Sequence, residues 1–184
     1  MLQYLPNCLT FSRVLLAVPL GFLILGENYP WALAVGFVAG LTDALDGYFA
    51  RRLDAFSRFG AALDPVADKV LILVSFLCLA EVQLIPWYLA FAVIARDLII
   101  VAGALCYHFF IGPFEFAATP LSKANMGIQI AFCVLVLTAQ VVPQIPEISI
   151  VIGTALVLFI AASSGFDYVM SWTIRAVRTR REQE

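Results

Sequence analysis

The chain has 184 residues, of which 62% are hydrophobic and 13% charged, with a mean hydropathy of +0.95 and a formal net charge of −2. A soluble domain is about half apolar and a quarter charged, so this composition excludes an ordinary water-soluble fold and describes an integral membrane protein. Its slightly acidic balance gives no reason to expect a nucleic-acid partner.

Six apolar segments are long enough to cross a bilayer, for which about 20 residues are needed. They are expected near residues 8–26, 30–51, 59–80, 86–110, 120–142 and 147–173. No cleavable signal is expected at the start, because Pro6, Asn7 and Arg13 interrupt it and no small-residue cleavage site follows. Gly26-Glu27-Asn28-Tyr29-Pro30 separates the first two segments, and Arg51 through Arg58 separates the next two. Glu81 to Pro86, Gly112-Pro113 and Pro143 to Pro146 carry the remaining turn and cap signals. No polar stretch could build a soluble core. The predicted architecture is an all-α integral membrane protein, one domain over residues 1–184, with six transmembrane helices and a polar cavity facing the cytoplasm.

Lysine and arginine set the expected orientation. Arg51, Arg52 and Arg58 share one connection, Lys123 opens the fifth segment, and Arg175, Arg178, Arg180 and Arg181 follow the sixth. The connections holding Glu27, Glu81 and Glu147 contain no basic residue. The positive-inside rule then places both termini and the basic connections in the cytoplasm, and a bacterial inner membrane is the expected location. Trp31, Trp87 and Trp172 at segment ends read as interfacial anchors. Cys8, Cys78, Cys106 and Cys133 lie in separate apolar segments without metal-ligand spacing and read as small buried residues. His108, the lone histidine, reads as a packing or interfacial residue.

The chemistry concentrates between residues 43 and 68. Charged side chains at membrane depth are costly and are usually paired or bound to a cation. Asp43 and Asp46 are three apart and Asp64 and Asp68 four apart, so each pair shares a helix face. Two such pairs make an oxygen-rich cage for a hard divalent cation, a Lewis acid suited to phosphoryl transfer. Arg51, two turns after Asp43, can take a phosphate oxygen. Gly47 lets a ligand approach the helix backbone. Ser57 and Gly60 flank a helix start that favours an anion. Asp68 can accept a proton from an attacking hydroxyl or join the metal ligands. Interhelical ion pairs or a proton path would explain the acids, but not the two glycines or the excess of four acids over one nearby arginine.

The pattern Asp43-x2-Asp46-Gly47-x2-Ala50-Arg51-x8-Gly60-x3-Asp64-x3-Asp68 resembles the signature of the CDP-alcohol phosphatidyltransferases at every one of its eight fixed positions. Pro6-Asn7-x-Leu9-Thr10-x2-Arg13 is similar to that family's amino-terminal segment. The resemblance implies six helices, a homodimer, magnesium or manganese (two ions), and a CDP-diacylglycerol donor. It further implies that Asp43, Asp46, Asp64 and Asp68 ligate metal and that Asp68 is also the base. Asn7, Gly47, Ala50, Arg51, Ser57 and Gly60 would bind the CDP part of the donor.

The signature leaves the acceptor alcohol open. Ile94-Ala-Arg96-Asp97 and Pro120-Leu-Ser122-Lys123-Ala-Asn125-Met-Gly-Ile-Gln129 are the other polar clusters within apolar segments. Their pattern is similar to the CMP-forming cardiolipin synthases of the family. Phosphatidylglycerophosphate synthases usually show Arg-Glu at Arg96-Asp97 and a second lysine at Asn125. Charge points the same way. Glycerol 3-phosphate brings a phosphomonoester of nearly two charges, which wants several cations, whereas phosphatidylglycerol brings a singly charged diester. Arg96, Lys123 and Asn125 are the expected acceptor-binding residues, although Arg96 would alternatively pair with Asp97 or a neighbouring helix. A carboxylate-lined cation or proton transporter is the competing class, and it lacks the repeats and paired broken helices usual there.

Overall fold

Apolar runs that must satisfy their own backbone hydrogen bonds fold as helices, and so it is here. A computed structural model describes the backbone of residues 5–53, 58–110 and 120–183, and side chains within 15–41, 69–103 and 121–168 together with Met170. Among these residues the secondary structure is six helices: α1 (Leu5–Leu25), α2 (Tyr29–Leu53), α3 (Arg58–Glu81), α4 (Trp87–Phe110), α5 (Pro120–Val141) and α6 (Glu147–Gln183). The helices fall where the apolar segments predict them, except that α6 runs well past residue 173. Apolarity ends there, but Arg and Ala remain good helix formers.

Two of the described stretches, Leu121–Val141 and Glu147–Tyr168, are long and apolar enough to cross a membrane, and Leu15–Leu25 and Tyr29–Leu41 are shorter apolar helices. Large apolar side chains point outward along them, with Phe22 and Phe37 each 72% exposed. A surface of that kind suits lipid rather than water. The hydroxyls of Ser75, Thr138 and Ser163 donate back to the carbonyls of Leu71, Val134 and Phe159 one turn earlier, so each is satisfied within its own helix. These are the marks of a membrane protein.

The chain divides into two packing units. In the unit formed by Met1–Trp87 and Cys133–Glu147, α1 packs on α3 and on α2. Ala17, Leu20, Gly21 and Ile24 form the buried stripe of α1, and Ile72, Phe76, Leu79 and Ala80 are buried on α3. Gly21 is the point of closest approach: a Cβ there would lie 3.0 Å from Val74 Cγ1 and 3.4 Å from Cys78 Sγ. Cys78 and Cys133 are free, half-buried thiols.

The turns after α1 and α3 share one design. Asn28 N–H donates to Leu23 O and Glu27 N–H to Ile24 O, and Glu27 has φ 55°. After α3, Leu84 N–H donates to Leu79 O and Gln83 N–H to Ala80 O, with Gln83 at φ 60°. Both are Schellman caps, which satisfy the last helical carbonyls. Glycine usually takes the left-handed position; here glutamate and glutamine do. Asn28 then accepts the first bond of α2, from Ala32 N–H, at 3.0 Å.

The second unit comprises Tyr88–Phe132 and Ile148–Glu184. Its buried residues follow helical spacing: Leu89, Val93 and Arg96 on α4, Asn125, Gln129 and Phe132 on α5, and Thr154, Val157, Ala161 and Ser164 on α6.

The close approach at Gly21 has a measurable consequence. Gly21→Val should lower stability by about 1–3 kcal/mol through overpacking against α3. Gly36→Val, where a Cβ meets nothing within 4 Å, should change it by less than about 0.5 kcal/mol. Thermal unfolding of both variants in one detergent checks this, and equal losses would contradict it.

Candidate functional site

Arg96 is 7% exposed on α4. A guanidinium has five donors and no acceptor, and this one is distributed across three helices. Nη1 donates to Asp97 Oδ1 at 2.6 Å, which makes an ion pair. Nη2 donates to Ser122 Oγ on α5 at 3.1 Å and to the fully buried Ser164 Oγ on α6. The Tyr168 ring centroid lies 5.9 Å from the guanidinium carbon, within reach of a weak cation–π contact. Gly165 keeps the neighbouring turn of α6 free of a side chain: its Cβ would stand 3.7 Å from Arg96 Cγ. Arg96 also lines a groove of about 550 Å³ whose other walls include Ala92, Ala95 and Ile99 on α4 and Leu158 and Phe166 on α6.

Asn125 and Gln129 follow Ser122 at the next two turns of α5, on one face by spacing. They are 1% and 2% exposed. Asn125 Oδ1 and Gln129 Nε2 have no hydrogen-bond partner, and neither has Arg96 Nε. A buried polar atom left unpaired costs about 1–3 kcal/mol, and native structures rarely keep one without a reason.

Of the expected acceptor residues, Arg96 and Asn125 are thus buried and belong to one unit, while Lys123 is exposed. Two residues turn a helix by about 200°, so Lys123 and Asn125 face different sides of α5. Arg96 takes the alternative considered from sequence, a pairing with Asp97. Ser122 and Gln129 lie within the polar cluster visible in the sequence but carry no expected role there. Ser164 and Tyr168 stand outside it. The only signal for Ser164 is a hydroxyl pair, Ser163-Ser164, inside an apolar helix.

The expected donor and metal residues fall where side chains are not described. Asn7 is on α1, Asp43, Asp46, Gly47, Ala50 and Arg51 are on α2, and Gly60, Asp64 and Asp68 are on α3. Ser57 lies outside the described residues altogether, and His108, Cys8, Cys106 and Trp172 have side chains outside them. Among the described residues, no three His, Cys, Asp or Glu side chains are grouped to hold a metal ion.

The sequence profile of the CDP-alcohol phosphatidyltransferases matches residues 3–167. The chain belongs to that family. It is 34% identical over 180 residues to a rat cardiolipin synthase (CMP-forming), covering 89% of this chain and 60% of the relative. A human cardiolipin synthase (CMP-forming) is 33% identical with the same coverage. A CDP-diacylglycerol–glycerol-3-phosphate 3-phosphatidyltransferase of Aquifex aeolicus is 36% identical over 103 residues, covering 54% of this chain and 57% of the relative. The chain therefore spans about 60% of the length of the mammalian relatives.

The Arg96 cluster predicts unequal losses. Asp97→Ala strands a buried guanidinium and should cost about 3 kcal/mol, the lower end for broken buried pairs because Asp97 is partly exposed. Ser164→Ala removes one hydrogen bond and should cost about 1 kcal/mol. Denaturant unfolding in mixed micelles measures both, and a Ser164→Ala loss as large as that of Asp97→Ala would contradict the assignment.

Proposed function

We propose that the protein transfers a phosphatidyl group from CDP-diacylglycerol to an alcohol, releasing CMP, and that the alcohol is phosphatidylglycerol and the product cardiolipin. Family membership, with all eight signature positions in register, carries the first part and favours an enzyme over a transporter. Asp43, Asp46, Asp64 and Asp68 would hold Mg²⁺ or Mn²⁺, since a set of four carboxylates is chemically matched to a hard divalent cation. The bound ion supplies Lewis-acid stabilisation of charge on the phosphate oxygens. Arg51 pairs with a donor phosphate oxygen, while Asn7, Gly47, Ala50, Ser57 and Gly60 complete the seat for CDP. Asp68 takes the proton of the acceptor hydroxyl as its oxygen bonds to the phosphatidyl phosphorus. The bond from that phosphorus to the bridging oxygen breaks, and CMP leaves with the electron pair.

The acceptor assignment is supported by two observations. The rat and human cardiolipin synthases match over 89% of this chain, the Aquifex aeolicus glycerol-3-phosphate enzyme over 54%. The ion pair of Arg96 with Asp97 also offsets, at contact distance, the charge of the buried cation among the proposed acceptor residues. That suits a singly charged diester better than a phosphomonoester. Glycerol 3-phosphate is the second reading, favoured by relatives such as the Aquifex aeolicus protein. The distribution of basic residues supports six spans in a single domain over residues 1–184, both termini in the cytoplasm, and a polar cavity opening to that side. The family resemblance supports a homodimer.

Purified protein given CDP-diacylglycerol and magnesium should release CMP and form cardiolipin from phosphatidylglycerol, identified by mass spectrometry. Asp43→Asn and Asp64→Asn should abolish turnover in a folded protein, and Asp68→Asn should lower it by roughly 10²–10⁴-fold. Phosphatidylglycerophosphate in place of cardiolipin would overturn the acceptor. Wild-type CMP release by Asp43→Asn would overturn the metal role.

A further inference from the structure

We infer that Asn125 and Gln129 form a subsite for the non-reacting hydroxyl of a polyol acceptor, a reading that rests on the proposed phosphatidyl transfer. Two side chains that are almost fully buried each leave one polar atom unpaired, an acceptor on Asn125 and a donor on Gln129. They do not satisfy one another, although they stand one turn apart on α5.

The missing partner is defined by chemistry. A phosphate oxygen only accepts and would be repelled by Asn125 Oδ1. An ammonium or choline head has no acceptor for Gln129 Nε2. A hydroxyl both donates and accepts. Exchanging the two ends of both amides leaves the same match, whereas exchanging one alone would present two donors or two acceptors. Ser122 carries the same face of α5 up to Arg96 through its 3.1 Å bond, so the amides follow the anchored turn.

A glycerol head group has this requirement, because one hydroxyl reacts and the secondary hydroxyl remains. Phosphatidylglycerol and glycerol 3-phosphate both present it. The assignment therefore adds Gln129 as a specificity residue and gives Asn125 a hydroxyl, rather than a phosphate, to hold.

The test compares each acceptor with its analogue lacking the secondary hydroxyl: phosphatidylglycerol with phosphatidyl-1,3-propanediol, and glycerol 3-phosphate with 3-hydroxypropyl phosphate. The full-length protein is assayed with CDP-diacylglycerol and magnesium, and the pair that yields product identifies the source of the hydroxyl. Wild type should favour the hydroxyl-bearing member by about 10⁴-fold in kcat/KM, since a site built to bond a hydroxyl rejects the analogue without it. Gln129→Met and Asn125→Leu keep shape and remove the polar atom. They should bring that ratio toward one by slowing the natural acceptor more than the analogue. A wild type that does not discriminate overturns the subsite whatever the variants do. Variants that discriminate like wild type also overturn it, and reduce the pair to holders of an ordered water. Absence of CMP release with every acceptor removes the underlying transferase reading instead, and the subsite with it.

Discussion

A charged guanidinium buried among apolar helices governs the second packing unit. Arg96 cannot shed its charge, so its surroundings must supply acceptors. Asp97 on the same helix neutralises it, and α5 and α6 each contribute one hydroxyl, from Ser122 and Ser164. Each of those bonds fixes the rotation of a helix about its own axis. With Ser122 turned to Arg96, the residues three and seven positions later are carried inward, and these are Asn125 and Gln129. With Ser164 turned to it, α6 presents Ala161, Val157 and Thr154 along the same buried stripe. Burial of two amides with unmatched atoms thus follows from how a single arginine is accommodated.

Much of this was legible in the sequence. Runs of apolar residues bounded by Gly, Pro and Asn placed six helices, because a backbone without water must bond to itself. Turn chemistry was less readable. Gly26 marks the end of α1, yet the left-handed residue is Glu27, and the matching turn at Gln83 has no glycine at all. The bonds from Asn28 to Leu23 and from Leu84 to Leu79 hold both caps closed, so tertiary fit overrode the preference for glycine. The end of α6 was hidden because apolarity reports where a membrane face ends, not where helical hydrogen bonding does.

The site was legible in chemistry more than in geometry. Spacing alone proposes the carboxylates of α2 and α3 as a cage, since three- and four-residue intervals put each pair on one face, and their side chains lie outside the described ones. For Arg96 the sequence allowed either a ligand role or an ion pair, and the structure shows the ion pair. It also separates Lys123 from Asn125, which are neighbours along the chain but lie on different sides of α5. Ser164 carried almost no signal, because a serine in an apolar helix ordinarily bonds its own backbone, as Ser163 does. What distinguishes the two is rotation about α6, which a hydroxyl pair in sequence does not reveal.

Pairing Arg96 with Asp97 changes what this unit can recognise. An uncompensated guanidinium would attract any phosphate, and every phospholipid carries one. Such an attraction does not discriminate among ligands that share the phosphate. Neutral amides behave oppositely. Their bonds to a hydroxyl are individually modest, but a ligand without that hydroxyl leaves them unpaired in a medium where no water replaces it. Head groups that end in an ammonium or carry no hydroxyl would then be disfavoured by the same two atoms proposed to hold a glycerol. The unpaired atoms of Asn125 and Gln129 cost stability in the empty protein, and selectivity against closely similar lipids is the physical return on that cost.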